Sequence, residues 1–340
     1  MKYIDEYRNP ALVAALLARI RKSAERISRP VTVMEICGSH TYAIGRFGIR
    51  KMLPDNINLV SGPGCPVCVT SARDVDIALY LACQKDIIFA TFGDMLRVPG
   101  SDGDSLQKKR AAGADVRIVA SADECIGLAQ KFPQKEVVMM GIGFETTTPT
   151  IAATVEGCRK KCIQNFSVFS VHKIVPPAIN ALIADPELNI DGFICPGHVS
   201  TMIGSSAYQM IPAAGRAAVI TGFEPADIME GLWMILEQIA DKKYEVAIQY
   251  SRGVKPEGNV RAMELINKIF KTETVEWRGI GFIPGSGLVF REAYAAYDTQ
   301  AKFAIPEIKS AELKGCGCGD ILRGIKSPEQ CALFKKVCTP

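Results

Sequence analysis

The sequence predicts an α/β protein built from two doubly wound, parallel-sheet lobes, with a small cysteine-rich, metal-stapled module at its end. Three observations carry that expectation. Short apolar runs rich in β-branched residues alternate with helical stretches along most of the chain. The runs are apolar throughout instead of alternating with polar residues, as in strands covered on both faces. From about Glu307 the strand signal stops and cysteines crowd together.

Taken in order, residues 3–28 read as an amphipathic helix ending before Pro30. Strands are then expected at 31–36 (VTVMEI), 57–60, 86–92 and 116–120. A second series follows at 136–143 (EVVMMGIG), 166–171, 192–195 (GFIC) and 217–222. Strands alternating with helices in this way predict βαβ units. Segment 131–136 (KFPQKE) marks the lobe boundary, and 249–259 (QYSRGVKPEGN) leaves the second lobe. The helix RAMELINKIF comes next, and Gly-rich 279–288 (GIGFIPGSGL) reads as a loop. The expected domains are therefore 1–132, 133–252 and 253–340, the last ending in the cysteine-rich module.

Composition narrows the function classes. The net charge is +4 over 340 residues and the basic side chains are dispersed, so no nucleic-acid footprint is predicted. The N-terminus carries charges of both signs with no apolar signal core, and stretches such as ALVAALLA are too short to span a bilayer. A cytoplasmic protein without membrane partners is expected. In a reducing compartment, twelve cysteines in a chain of this size point to metal or redox chemistry before disulfide staples.

Five constellations could carry chemistry, and three of them follow strands, where open α/β sheets bind ligands. In Cys37-Gly-Ser-His40-Thr, a thiol at a strand end facing a helix start can serve as ligand or nucleophile. A lone cysteine there is more often a packing residue, and the neighbouring His40 argues otherwise. Cys65-Pro-Val-Cys68, after Gly-Pro-Gly, has the spacing of a redox dithiol. It could also be half of a zinc site, but no second CxxC occurs in the chain. In Phe144-Glu145-Thr146-Thr147-Thr148-Pro149, the preceding Gly-x-Gly would let backbone approach a ligand, and threonines at a helix start could meet an anion or thiolate. Helix capping explains one of those threonines. Glu145 is a candidate proton carrier. Cys195-Pro-Gly-His198 places an imidazole past a strand end, suited to acid/base work or metal contact. Of the three histidines, His198 and His40 are the candidates, and His172 reads as structural. The last constellation is Cys316, Cys318, Cys331 and Cys338, dense thiols suited to an iron–sulfur cluster or zinc. Cys83, Cys125, Cys158 and Cys162 read as packing or surface residues.

The strings MEICGSHT, GPGCPVCVT, GFETTTPT, PGHVS, VKPEGN and GCGCGDILRG, followed by the last two cysteines, occur in this order from residue 34 to the end. Together they resemble the HypD family of [NiFe]-hydrogenase maturation proteins. The resemblance implies a metallocentre-assembly scaffold with thiol redox activity instead of a turnover enzyme. It would work with a HypC-type chaperone and a HypE-type cyanide donor on the Fe(CN)2CO unit. It implies that Cys37 holds iron, transiently with cyanide and carbonyl ligands, beside a HypC cysteine. Cys65 and Cys68 would be the redox pair, and Glu145, Thr146, Thr147 and His198 would line the cleft. Cys316, Cys318, Cys331 and Cys338 would serve a [4Fe-4S] cluster. HypD-like chains usually continue past Cys-Thr-Pro with a further cysteine, so the resemblance implies that Cys316 and Cys318 both ligate here, or that the cluster is incomplete or absent. The alternative is a thiol-disulfide oxidoreductase with a structural metal cluster.

Overall fold

A computed structural model describes residues 4–338. Its strands are β1 (Val31–Glu35), β2 (Ile57–Ser61), β3 (Ile87–Thr91), β4 (Val116–Ile118), β5 (Glu136–Gly141), β6 (Phe166–Ser170), β7 (Gly192–Pro196), β8 (Ala217–Thr221), β9 (Val246–Ile248), β10 (Phe270–Trp277) and β11 (Gly281–Phe290). The expected α/β class holds, with two parallel sheets flanked by helices.

The strands pair across the expected lobe boundaries. One sheet runs β2-β1-β7-β8-β9 and the other β4-β3-β5-β6. The division at 132/133 is therefore corrected: β3, before it, pairs with β5, after it. Two compact units result, residues 1–65 with 175–260 and 317–340, and residues 66–174 with 261–316. Nor does the cysteine-rich tail form a unit of its own. Its helix Cys318–Leu322 buries no residue. Arg323 ties it to the first unit through ion pairs with Asp185 and Glu187, at 3.1 and 2.9 Å.

In the first unit, β7 and β8 are buried along their whole length. Helix Pro10–Glu25 packs on helix Pro225–Asp241, which covers β7 and β8. Asn9 caps the first of these helices, with Pro at its start, so the expected helix begins later than residue 3. Residue 3 itself lies outside the described residues.

In the second unit, β3 is fully buried and β5 nearly so. Segment 279–288 is not a loop: most of it is β11, antiparallel to β10. Its glycines disguise a strand. A Cβ on Gly287 would come within 2.3 Å of Val275 Cγ1, so glycine is what lets the two strands close. Among the described residues no helix is long and apolar enough to cross a membrane.

Candidate metal-thiol site

Both parallel sheets reverse their winding direction once, and the crevice beyond the strand ends at such a point is where open α/β sheets bind ligands. In the first unit the reversal falls between β1 and its neighbour β7. The chain leaving β1 carries Cys37 and the chain leaving β7 carries His198.

Cys37 is the extended residue that precedes helix Gly38–Arg46. Burial pushes its thiol up from the usual range, opposed by the N–H groups of Ser39 and His40. Gly62-Pro-Gly-Cys65 lies directly against it. Gly38 N–H donates to the Gly64 carbonyl at 2.9 Å. A Cβ on Gly64 would stand 2.1 Å from Cys37 N, and one on Gly38 would stand 3.4 Å from Cys65 Cβ. The first and second constellations thus meet through glycines, and Cys65 abuts the segment that presents Cys37. Cys65 is half-buried and ends the first unit, whereas Cys68 is exposed in the short helix Pro66–Val69 that opens the second.

Sequence reasoning missed Glu35. This carboxylate ends β1, fully buried, with Ser61 beside it on β2. Its Oε2 accepts the Cys37 N–H at 3.1 Å and its Oε1 accepts the Thr41 hydroxyl. Burial pushes its carboxyl up to about 7, against hydrogen bonds from Ser61, Thr41 and Cys37 N–H and the charge of Arg50. An acid closing the apolar run VTVME was the available signal.

His40 is fully buried, its Nε2 2.9 Å from both the Gly222 carbonyl and Thr221 Oγ1. The carbonyl can only accept, so Nε2 carries the proton and Nδ1 is the lone-pair nitrogen. Nδ1 is buried with no hydrogen-bond partner. Desolvation lowers the ring's pKa to about 4, so His40 is neutral at physiological pH. Phe223, also unforeseen, lies between the two candidate histidines, its centroid 4.6 Å from His40 and 4.0 Å from His198. His198 is exposed, and its pKa is also lowered by desolvation. His198, Phe223 and Ser39 line a cavity of about 400 Å³ together with Tyr42, Arg46 and Tyr250.

Glu145, Thr146 and Thr147 follow β5 in the second unit. Glu145 is buried and the two threonines half-buried. The Gly-x-Gly before them serves internal packing. Gly141 leaves room for the His172 ring, and Gly143, at φ 144°, leaves room for Thr147. The Thr147 and Thr148 N–H groups both donate to the Phe144 carbonyl, at 3.0 and 3.3 Å, which weakens the anion reading for them. His172 is buried, Nδ1 3.0 Å from Ser170 Oγ, consistent with its structural reading. Cys125 and Cys158 are buried, and Cys83 and Cys162 exposed.

The tail cysteines fit an iron–sulfur cluster in donor type. Gly317 packs against Cys331, where an added Cβ would lie 3.5 Å from Sγ. The Leu333 and Gly317 N–H groups hold the Cys331 thiol below its usual range, as a thiolate ligand requires. Cys316 and Cys318 are half-buried and Cys338 exposed. Among the described residues, however, no three His, Cys, Asp or Glu side chains are gathered as a metal-holding group.

The profile of the Hydrogenase formation hypA family, HypD, matches residues 11–340. The hydrogenase maturation factor HypD of Azotobacter vinelandii is 46% identical, over 100% of this chain and 91% of its own length. HypD2 of Bradyrhizobium diazoefficiens is 44% identical over 100% and 91%. HypD of Cupriavidus necator is 41% identical over 100% and 92%.

Proposed function

The chain belongs to the HypD family of hydrogenase maturation factors, and from that premise we propose that its crevice between β1 and β7 is where the Fe(CN)2CO unit of [NiFe]-hydrogenase is assembled. In this reading the iron unit is cargo, held by the Cys37 thiolate and a thiolate from a HypC-type chaperone, while a HypE-type donor supplies cyanide. The observation that supports it best is the glycine contact of Gly64 on Cys37, which sets Cys65 beside the segment carrying the ligand thiol. A soft thiolate suits low-spin iron with cyanide and carbonyl ligands.

The local residues have definable tasks. Cys37 is protonated when empty because burial disfavours its thiolate, so iron binding must release that proton. Glu35 and the N–H groups of Ser39 and His40 fix the backbone around the sulfur. Neutral His40 adds no charge to the crevice. Cys65 and Cys68 act as a dithiol, with the exposed Cys68 the one open to exchange. Cys316, Cys318, Cys331 and Cys338 would hold the cluster, with cluster binding itself drawing them together. Bound there, a cluster would supply stored electrons.

Anaerobic purification with a HypC-type partner, followed by iron analysis and thiol counting, tests the reading. Extra iron that requires both the partner and Cys37 supports it. Dithiol–disulfide interconversion with no partner-dependent iron would favour a thiol-disulfide oxidoreductase instead.

A further inference from the structure

The cysteine-rich tail and the thiol crevice meet at one side chain of the first unit. Met34 lies on β1 next to Glu35 and is fully buried. Two glycines close on it. A Cβ on Gly62 would stand 2.7 Å from Met34 Sδ and 2.9 Å from its Cγ. A Cβ on Gly324, in the tail, would stand 2.9 Å from Met34 Cε. It would also stand 3.0 Å from Cγ2 of Val60, the β2 residue paired with Met34. Gly62 opens the Gly-Pro-Gly-Cys65 segment. Its N–H donates to the Glu35 carbonyl and its own carbonyl accepts the Gly64 N–H, both at 2.8 Å. The Gly64 carbonyl in turn accepts the Gly38 N–H at 2.9 Å. Close contacts and hydrogen bonds thus run unbroken from Gly324 to the residue that follows Cys37.

Gly324 follows helix Cys318–Leu322, which starts at the paired cysteines, and has the left-handed φ of 76° that closes a helix. Its neighbour Arg323 is pinned by Asp185 and Glu187. A methionine normally absorbs a shift through its three rotatable bonds. Here Gly62 bears on Sδ and Cγ while Gly324 bears on Cε, so little of that freedom is left. A packed interior passes such a displacement on. We propose that Met34 is a positioning residue that couples the cysteine-rich tail to the crevice, so that a change in the tail helix alters how Cys37 and Cys65 are presented. The contact stands on geometry alone; its purpose, setting when Cys37 accepts iron, rests on the assembly reading above.

The test uses the full metal-free chain, with the alkylation rate of each cysteine followed by mass spectrometry of its peptide. Gly324→Ala sets a methyl against Met34 and should change the Cys37 rate by about threefold or more. The exposed Cys83 and Cys162, in the second unit, should react as in the wild type. Gly315→Ala is the control, because φ of 83° brings similar backbone strain while nothing lies within 4 Å. It should leave Cys37 unchanged. Combined with Met34→Ala, Gly324→Ala should add nothing further, since the contact is already gone. Where Met34→Ala fails to fold, Met34→Leu, which lacks the terminal methyl, takes its place. A Cys37 rate in Gly324→Ala equal to wild type, additive effects in the double variant, or a rate change shared by all the cysteines would each overturn the coupling. None of these outcomes touches the assembly reading. Conversely, a wild-type chain that takes up no partner-dependent iron ends that reading and leaves the thiol coupling standing.

Discussion

A methyl group on Gly64 would stand 2.1 Å from the backbone nitrogen of Cys37. No flexible side chain takes up that contact, because Ile36 C and Cys37 Cα are the next nearest atoms. Gly64→Ala should therefore displace one loop from the other, costing about 1–3 kcal/mol. Iron carried by Cys37 should fall with it. Gly45→Ala, on the same helix with nothing within 4 Å, is the control. It should be neutral or stabilise by about 0.5–1 kcal/mol. Urea titration of both variants checks the contrast, which equal midpoints would refute.

Phe223 separates His40 from His198 and shields the latter. Removing it in Phe223→Ala should hydrate His198 and raise its pKa towards the free-imidazole value of about 6.5. Phe223→Tyr should keep it low. Histidine proton resonances followed against pH measure this, and an identical His198 titration in Phe223→Ala would show that the ring does not shield it.

Burial lowers His172 to about 3 and His40 to about 4. Unfolded histidines titrate near about 6.5. Between those values the unfolded chain binds more protons, so stability rises with pH there. The contribution of both groups is complete above the unfolded value and drains away as pH falls towards the folded ones. Glu35, pushed up to about 7, opposes this over the same range, but two histidines against one carboxyl leave a net decline below about 6.5 in stability measured by denaturant. His172→Gln should show a shallower decline, and an unaltered slope would remove His172 from the account.

Lys173 is 2% exposed, with Asp74 3.8 Å away and the Trp277 ring at 5.9 Å. Asp74→Asn should leave this ammonium with only the weaker influence of Glu276 and cost about 2 kcal/mol. Lys173→Met should cost less, because Asp74 retains contact with water. Reversed ranking in thermal melts would mean that the pair does not carry the cation's burial.

Much of this was legible in the sequence because fully covered strands are apolar runs, and β1 to β8 each coincide with such a run. Strand partners were not legible. Nothing in the run 31–36 reveals that β1 sits beside β7, so two interleaved units were read as consecutive lobes. The β10–β11 hairpin was missed because β10 is mostly exposed and polar, and β11 is rich in glycine. Motif residues stood out by type, but Cys37, Cys65, His40 and His198 fall within one unit, where the expected domains 1–132 and 133–252 had divided His198 from the rest. Glu35 and Phe223 did not stand out, because a strand carboxylate and a loop phenylalanine gain meaning only from what they touch.

The most direct measurement is infrared spectroscopy of the anaerobically isolated complex with its HypC-type partner. The account predicts cyanide and carbonyl stretching bands from the wild-type chain. It predicts their loss in a Cys37→Ala variant that still folds and still binds the partner. Bands of undiminished intensity from the Cys37→Ala complex would contradict it.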